Sequence, residues 1–207
     1  MLKFVSGWAG FGELFPKISS RHAFFVPFVT HSEAEINDAL TGGGEILAGW
    51  STGAHIILKN IAELSAKYEK IFLIAPFGSF TDYQHPKTVM LMIRKMKKDP
   101  EAVLKDFYEN CGIKDFTPVI GEETRSRLIE GLEFLINSRA TGAGCAINNA
   151  NIYAVHGLND LIVNCRAGEE IANSLCGGRI ITIESGHYVN EQTIADIIYE
   201  NTHKKIL

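Results

Sequence analysis

Ser51 stands between two glycines in Gly49-Trp50-Ser51-Thr52-Gly53, directly after the apolar run Glu45-Ile46-Leu47-Ala48. A G-x-S-x-G pentapeptide in that position predicts a nucleophile elbow: a strand ending in a sharp turn, a serine in a strained backbone conformation, and a helix just beyond. Ala54, Ile57, Leu58, Ile61 and Leu64 follow at helical spacing and supply that helix. The pentapeptide alone is unspecific, since any glycine-rich loop can carry a serine. Its flanks make it specific.

A serine hydroxyl becomes a strong nucleophile with a histidine base, and the base needs an acid that orients it and stabilises its charged form. Asn151-Ile152-Tyr153-Ala154-Val155 reads as a buried strand, and His156-Gly157-Leu158-Asn159-Asp160 places Asp160 in the loop at its end. Arg179-Ile180-Ile181-Thr182-Ile183 reads as another, and Glu184-Ser185-Gly186-His187 puts His187 beyond it. The order Ser, Asp, His is that of the α/β-hydrolases. Plainer roles compete: Ser51 as a turn residue, His187 as a surface loop residue, and Asp160 as the cap of a helix over Cys165 to Leu175 or the head of an Asx turn. Asp82 is a rival acid, because it follows the strand Lys70-Ile71-Phe72-Leu73-Ile74-Ala75 by a short loop.

Such a serine also needs donors for the developing oxyanion, each worth roughly 3 to 4 kcal/mol. The backbone N–H of Thr52, next after the serine, is one candidate. The N–H of Trp8 is the other, in the small-residue turn Ser6-Gly7-Trp8-Ala9-Gly10 that follows the strand Leu2-Lys3-Phe4-Val5. Trp8 would also serve as ordinary core packing, which leaves its amide free for this role.

These motifs resemble the α/β-hydrolase superfamily, and within it the pimeloyl-acyl-carrier-protein methyl ester esterases of biotin synthesis. Gly7-Trp8-Ala9-Gly10 is similar to their oxyanion loop, Gly49-Trp50-Ser51-Thr52-Gly53 to their elbow, Glu130-Gly131-Leu132-Glu133-Phe134-Leu135 to the end of their cap, and His156-Gly157-Leu158-Asn159-Asp160 to their acid loop. Two departures stand out: Ser6 occupies the place of the usual oxyanion-loop histidine, and the chain starts directly with the strand that leads into that loop, without the hairpin that commonly precedes it. The resemblance implies a serine esterase that needs no cofactor and works by two-step acyl transfer. A thioesterase or acyltransferase would use the same serine, and a non-catalytic binding module would keep the fold.

The composition agrees with an enzyme. At 207 residues and 46% apolar content, one domain with a sizeable core is expected. A formal net charge of -4 argues against a nucleic-acid binder. No apolar run approaches the ~20 residues that span a membrane, and no basic region precedes an apolar segment and a cleavage site at the N-terminus, so a cytoplasmic location is expected. Cys111, Cys145, Cys165 and Cys176 show no C-x-x-C spacing and read as structural, and the seven histidines form no H-E-x-x-H pattern, so no metal is expected.

The elements that must position these residues follow from alternating patterns. Strands are expected at Leu2 to Val5, His22 to Val26, Glu45 to Ala48, Lys70 to Ala75, Ile152 to Val155 and Arg179 to Ile183, in a mainly parallel sheet of about six strands with helices on both faces. Between the fourth and fifth, a long insertion from about Gly78 to Gly144 reads as helical throughout and would form a cap. Val89, Met92, Ile93 and Met96 share one face; Asp99-Pro100 starts a second helix and Gly112 stops it; Leu128, Leu132 and Leu135 mark a third. Met90, Met92, Met96, Phe107 and Tyr108 would suit an acyl chain as well as ordinary packing. From Lys87 to Lys98 there are five bases and no acid: Lys87, Arg94, Lys95, Lys97 and Lys98. They read either as a solvated helix face or as a docking surface for an acidic acyl carrier protein bringing a linked ester to Ser51.

Overall fold

The computed structural model describes residues 1–140, 151–175 and 177–207. Within them six strands form one sheet: β1 (Leu2–Val5), β2 (Ala23–Phe25), β3 (Gly44–Trp50), β4 (Tyr68–Ile74), β5 (Ile152–Gly157) and β6 (Arg179–Ile183). Their order is β2-β1-β3-β4-β5-β6, and every pairing is parallel. Side chains alternate between the two faces. Leu2, Phe4, Ile46, Ala48, Trp50, Phe72, Ile74, Tyr153 and Val155 belong to one buried cluster, and Val5, Leu47, Ile71, Leu73 and Ile152 to the other. Two buried faces explain why these strands read as continuous apolar runs.

The helices supply the covers. α2 (Glu33–Thr41) and α3 (Thr52–Lys59) bury Ile36, Leu40, Ile57 and Leu58 in the second cluster, while α1 (Pro16–Arg21) and α9 (Glu191–Thr202) bury Ile18, Ile194 and Ile198 in the first. α2 starts at a full capping box, with Ser32 and Glu35 satisfying each other's backbone amides. The apolar pattern from Ala54 to Leu64 spans two helices, because α3 ends at Lys59 and a short α4 (Ile61–Leu64) follows Asn60.

Between β4 and β5 lie α5 (Pro86–Met96), α6 (Pro100–Cys111) and α7 (Glu122–Asn137). The expected punctuation of α6 is present. Asp99 caps its N-terminus by accepting from the Ala102 amide at 3.1 Å, Pro100 holds its first position, and Gly112 ends it in the left-handed region at φ 86. The insertion is not helical throughout: a single 3-10 turn at Phe80–Asp82 precedes α5, and no regular element joins α6 to α7. Residues 141–144 of the expected insertion, and Cys145 and Cys176, lie outside the described residues. Finally α8 (Arg166–Ser174) connects β5 to β6.

The order places the site. The chain builds β2 on one side of β1, then returns to build β3 on the other, so the direction of winding reverses between two adjacent strands. The loops leaving β1 and β3 therefore open side by side at the carboxyl edge, the usual place for a ligand in an open parallel sheet. The loops after β5 and β6 reach the same edge, with Gly157 opposite Ile183 in register.

Candidate active site

Ser51 follows β3 with φ 54 and ψ -115, a backbone conformation that costs a non-glycine residue about 1–3 kcal/mol. The surroundings enforce the turn. A Cβ on Gly53 would lie 2.1 Å from the Val5 carbonyl oxygen, so only glycine lets α3 start this close to β1. The Ser51 amide donates to the Ile74 carbonyl at 2.8 Å, and its own carbonyl accepts from His55 in the first turn of α3.

The three residues expected to act together meet. His187 Nε2 lies 2.8 Å from Ser51 Oγ, and His187 Nδ1 lies 2.7 Å from Asp160 Oδ2. All three are buried. Asp160 Oδ1 accepts from the amides of Ile162 and Val163 at 2.8 and 2.9 Å, forming the Asx-type turn weighed above while Oδ2 stays on His187. Burial by itself would raise the Asp160 carboxyl. The charge of His187 and the interactions with His156, His187 and the Val163 amide together outweigh it, and the carboxyl is held well below the usual carboxylate range. Asp82 does not join this chain: its side chain is over half exposed and lies 3.7 Å from Arg139.

Trp50 holds the His187 loop from behind. Its Nε1 donates to the His187 carbonyl at 2.8 Å, and its ring packs on Phe15, Tyr188 and His187 itself.

The loop after β1 faces Ser51. Three contacts fix it: the Trp8 amide donates to Thr52 Oγ1 at 3.2 Å, Trp8 Nε1 to the Leu128 carbonyl of α7 at 2.8 Å, and the Tyr108 hydroxyl of α6 to the Ala9 carbonyl at 2.9 Å. Ala9 itself sits at φ 53. Thr52 opens α3, so its amide has no carbonyl one turn earlier to receive it. The two amides expected to face an oxyanion thus stand beside Ser51, and in the free site Trp8 is engaged by the Thr52 hydroxyl. That hydroxyl, the Tyr108 clamp and the contact of His156 with Asp160 carry no motif of their own. The position of His156, four residues before Asp160, is the one sequence signal for the last of them.

Beside Ser51, Trp8 and Thr52 opens a cavity of about 350 Å³, walled by Val89 and Met92 of α5, Val103 and Phe107 of α6, Leu132 and Leu135 of α7, and Phe80 and Ile162. Its polar groups are few: Gln84, Thr88, Lys95, Asp106 and Asn110. A mostly apolar pocket with a handful of polar groups suits a small organic ligand. The inserted helices are therefore the wall that faces Ser51. Met92 and Phe107 line the cavity, whereas Met96 and Tyr108 are packed in the core and Met90 is surface-exposed.

Arg94, Lys95, Lys97 and Lys98 are exposed, and none is ion-paired among the described residues; Lys95 reaches the cavity. Cys111 is fully buried, and burial followed by the charge of Asp160 raises its thiol. Cys165 is partly exposed and free. Among the described residues no group of three or more His, Cys, Asp or Glu is arranged to hold a metal, and no helix is long and apolar enough to cross a membrane.

A parallel sheet with this winding, an elbow serine after β3, and acid and histidine loops after β5 and β6 define the α/β-hydrolase fold. Solved structures agree. An esterase (EaEST) from Exiguobacterium antarcticum superposes with a TM-score of 0.67 over 97% of this chain and 91% of its own, at 16% identity. An enol-lactonase from Burkholderia xenovorans LB400 matches with a TM-score of 0.67 over 98% of this chain and 89% of its own, at 13% identity. A 2-hydroxy-6-oxo-6-phenylhexa-2,4-dienoate hydrolase from Rhodococcus sp. strain RHA1 does so at 0.63, 98%, 90% and 13%. No family model and no curated protein sequence matches this chain.

Proposed function

We propose that the protein is a serine hydrolase that cleaves a carboxylic ester through an acyl-enzyme intermediate. The observation that carries this reading is the continuous hydrogen-bonded chain from Ser51 Oγ through His187 to Asp160, opening on an apolar cavity. His187 Nε2 takes the proton of Ser51 as its oxygen attacks the ester carbonyl. Asp160 holds Nδ1–H and stabilises the imidazolium that forms. The carbonyl oxygen, becoming anionic, replaces the Thr52 hydroxyl as acceptor of the Trp8 amide and accepts from the Thr52 amide as well. His187 then protonates the leaving alcohol, and water repeats the sequence on the acyl-enzyme.

The cavity walls favour an acyl group of modest size over a polar one. Esterase and lactonase neighbours support ester chemistry on this fold. The particular substrate suggested by the sequence is a carrier-linked methyl ester of the pimeloyl type, met in the cytoplasm. What supports a carrier partner is the set of exposed cations on α5 and just beyond, with Lys95 at the cavity and none of them ion-paired among the described residues.

A hydrolysis screen over p-nitrophenyl esters of graded acyl length, repeated with Ser51→Ala, tests the reaction class. Turnover that peaks at a short or medium chain and vanishes in Ser51→Ala is expected. Turnover that survives the substitution would overturn the reading.

A further inference from the structure

Asp160 Oδ2 meets a second histidine. His156 Nε2 lies 3.2 Å from that oxygen and 2.9 Å from the Val163 carbonyl, and its side chain is fully buried. Both neighbours are acceptors, so the ring proton belongs on Nε2. The other nitrogen, Nδ1, has no hydrogen-bond partner among the described residues, and it faces Gly168 of α8 so closely that a Cβ there would come within 2.8 Å. A buried imidazole with one nitrogen unpartnered is a costly way to fill space that an apolar residue would fill without penalty. The useful part of the ring is the Nε2 donor.

We propose that His156 is a positioning residue for the acid of this site: its Nε2–H, hydrogen-bonded to the Val163 carbonyl at 2.9 Å, is shared at 3.2 Å with the oxygen, Asp160 Oδ2, that receives Nδ1–H of His187. The proposal rests on the reading of Ser51, His187 and Asp160 as a hydrolytic chain. Oδ1 is occupied by the Ile162 and Val163 amides, and Oδ2 is held by His187 at 2.7 Å with His156 beside it at 3.2 Å, so both carboxylate oxygens face donors. Its plane cannot turn away from the base. The donor comes from a rigid place, because His156 is in β5 and is paired with Thr182 of β6. Without it, one hydrogen bond holds Oδ2, and that bond is the one whose geometry must survive the reaction.

The loss of a hydrogen bond to a charged group is on the order of tenfold in rate. Three variants separate positioning from packing. His156→Leu fills the space without a donor, His156→Asn carries an amide too short to reach Asp160, and His156→Gln places an amide N–H near the Nε2 position. The proposal expects kcat to fall about tenfold in Leu and Asn with KM little changed, and to recover most of that loss in Gln. A second readout does not need turnover: the far-downfield proton resonance of His187 Nδ1–H should shift in the Leu and Asn variants and return in Gln. An unshifted resonance and wild-type kcat in a folded Leu or Asn variant would overturn the proposal. So would equal losses in all three, which would make the ring a packing element. If the wild type turned over no ester, the hydrolase reading would fail by itself, while the resonance would still decide the role of His156.

Discussion

Acidification should weaken this fold through His55. It lies in the first turns of α3, fully buried, with Nδ1–H donating to the Phe77 carbonyl at 3.0 Å and Nε2 accepting the Ser138 hydroxyl at 2.8 Å. Those bonds tie the end of α7 to the helix that carries Ser51, and they suit the neutral ring. Burial is the main reason its pKa falls from 6.5 to about 4; Lys59 adds to the effect, while the Phe77 carbonyl and Glu33 oppose it. An unfolded chain takes the proton near pH 6.5, and the folded one does not until about pH 4. Between these values the unfolded state binds more protons, so stability falls as the pH is lowered. At roughly 1.4 kcal/mol per tenfold step in proton affinity, the whole effect is about 3 kcal/mol, of which about 2 kcal/mol is lost between pH 7 and 4.5. Asp160 does not confuse this window: its carboxyl is held below the ordinary 3.8, so its contribution is present above that value and fades further down. Urea unfolding of wild type and His55→Asn at both pH values measures the difference. The wild type should lose about 2 kcal/mol more than the variant. Equal losses in the two proteins would refute the reasoning.

Three further outcomes are expected. Asp160→Asn should cut kcat by orders of magnitude, because the amide favours the wrong histidine tautomer, while Asp82→Asn should leave it within a few-fold; steady-state kinetics showing the reverse ranking would move the acid to Asp82. Gly131→Ala would put a Cβ 2.8 Å from the Trp8 ring and 3.2 Å from Phe28, and the crowding of about 1–3 kcal/mol should exceed the helix-propensity gain of about 1 kcal/mol, lowering Tm and kcat together; a higher Tm with unchanged kcat would contradict it. Reversing Arg94, Lys97 and Lys98, which lie outside the cavity lining, to Glu should raise KM for a carrier-linked ester in a salt-dependent way and leave a small p-nitrophenyl ester almost untouched; equal effects on both, or none on either, would remove the carrier from the account.

The inner strands β1, β3, β4 and β5 were legible because burial on both faces makes each a largely apolar run, and Asp99-Pro100 and Gly112 marked the ends of α6 through backbone chemistry that is local. Local chemistry also exposed the elbow, since a serine between glycines at a strand exit leaves few other geometries. What stayed hidden depends on distant contacts. The break at Asn60 keeps the apolar spacing intact, so the periodicity ran straight through it. Gly131 reads as a weak point in α7 until Trp8 is seen against it. The choice between Asp160 and Asp82 lay beyond the spacing, because both follow strands by short loops and only the order of strands in the sheet puts one beside His187. The tie from Trp8 to the Thr52 hydroxyl, 44 residues along the chain, is equally a product of the sheet order.

The account stands most directly on whether Ser51 is an activated nucleophile. A fluorophosphonate probe reports it: attack by the serine oxygen on phosphorus expels fluoride and leaves a stable phosphonyl ester on the protein, located by peptide mass spectrometry. The expected result is one adduct per chain, on Ser51, formed rapidly in wild type and slowed by orders of magnitude in His187→Ala with the fold intact. A folded wild-type protein that stays unlabelled, or that labels elsewhere at an equal rate, would contradict the claim.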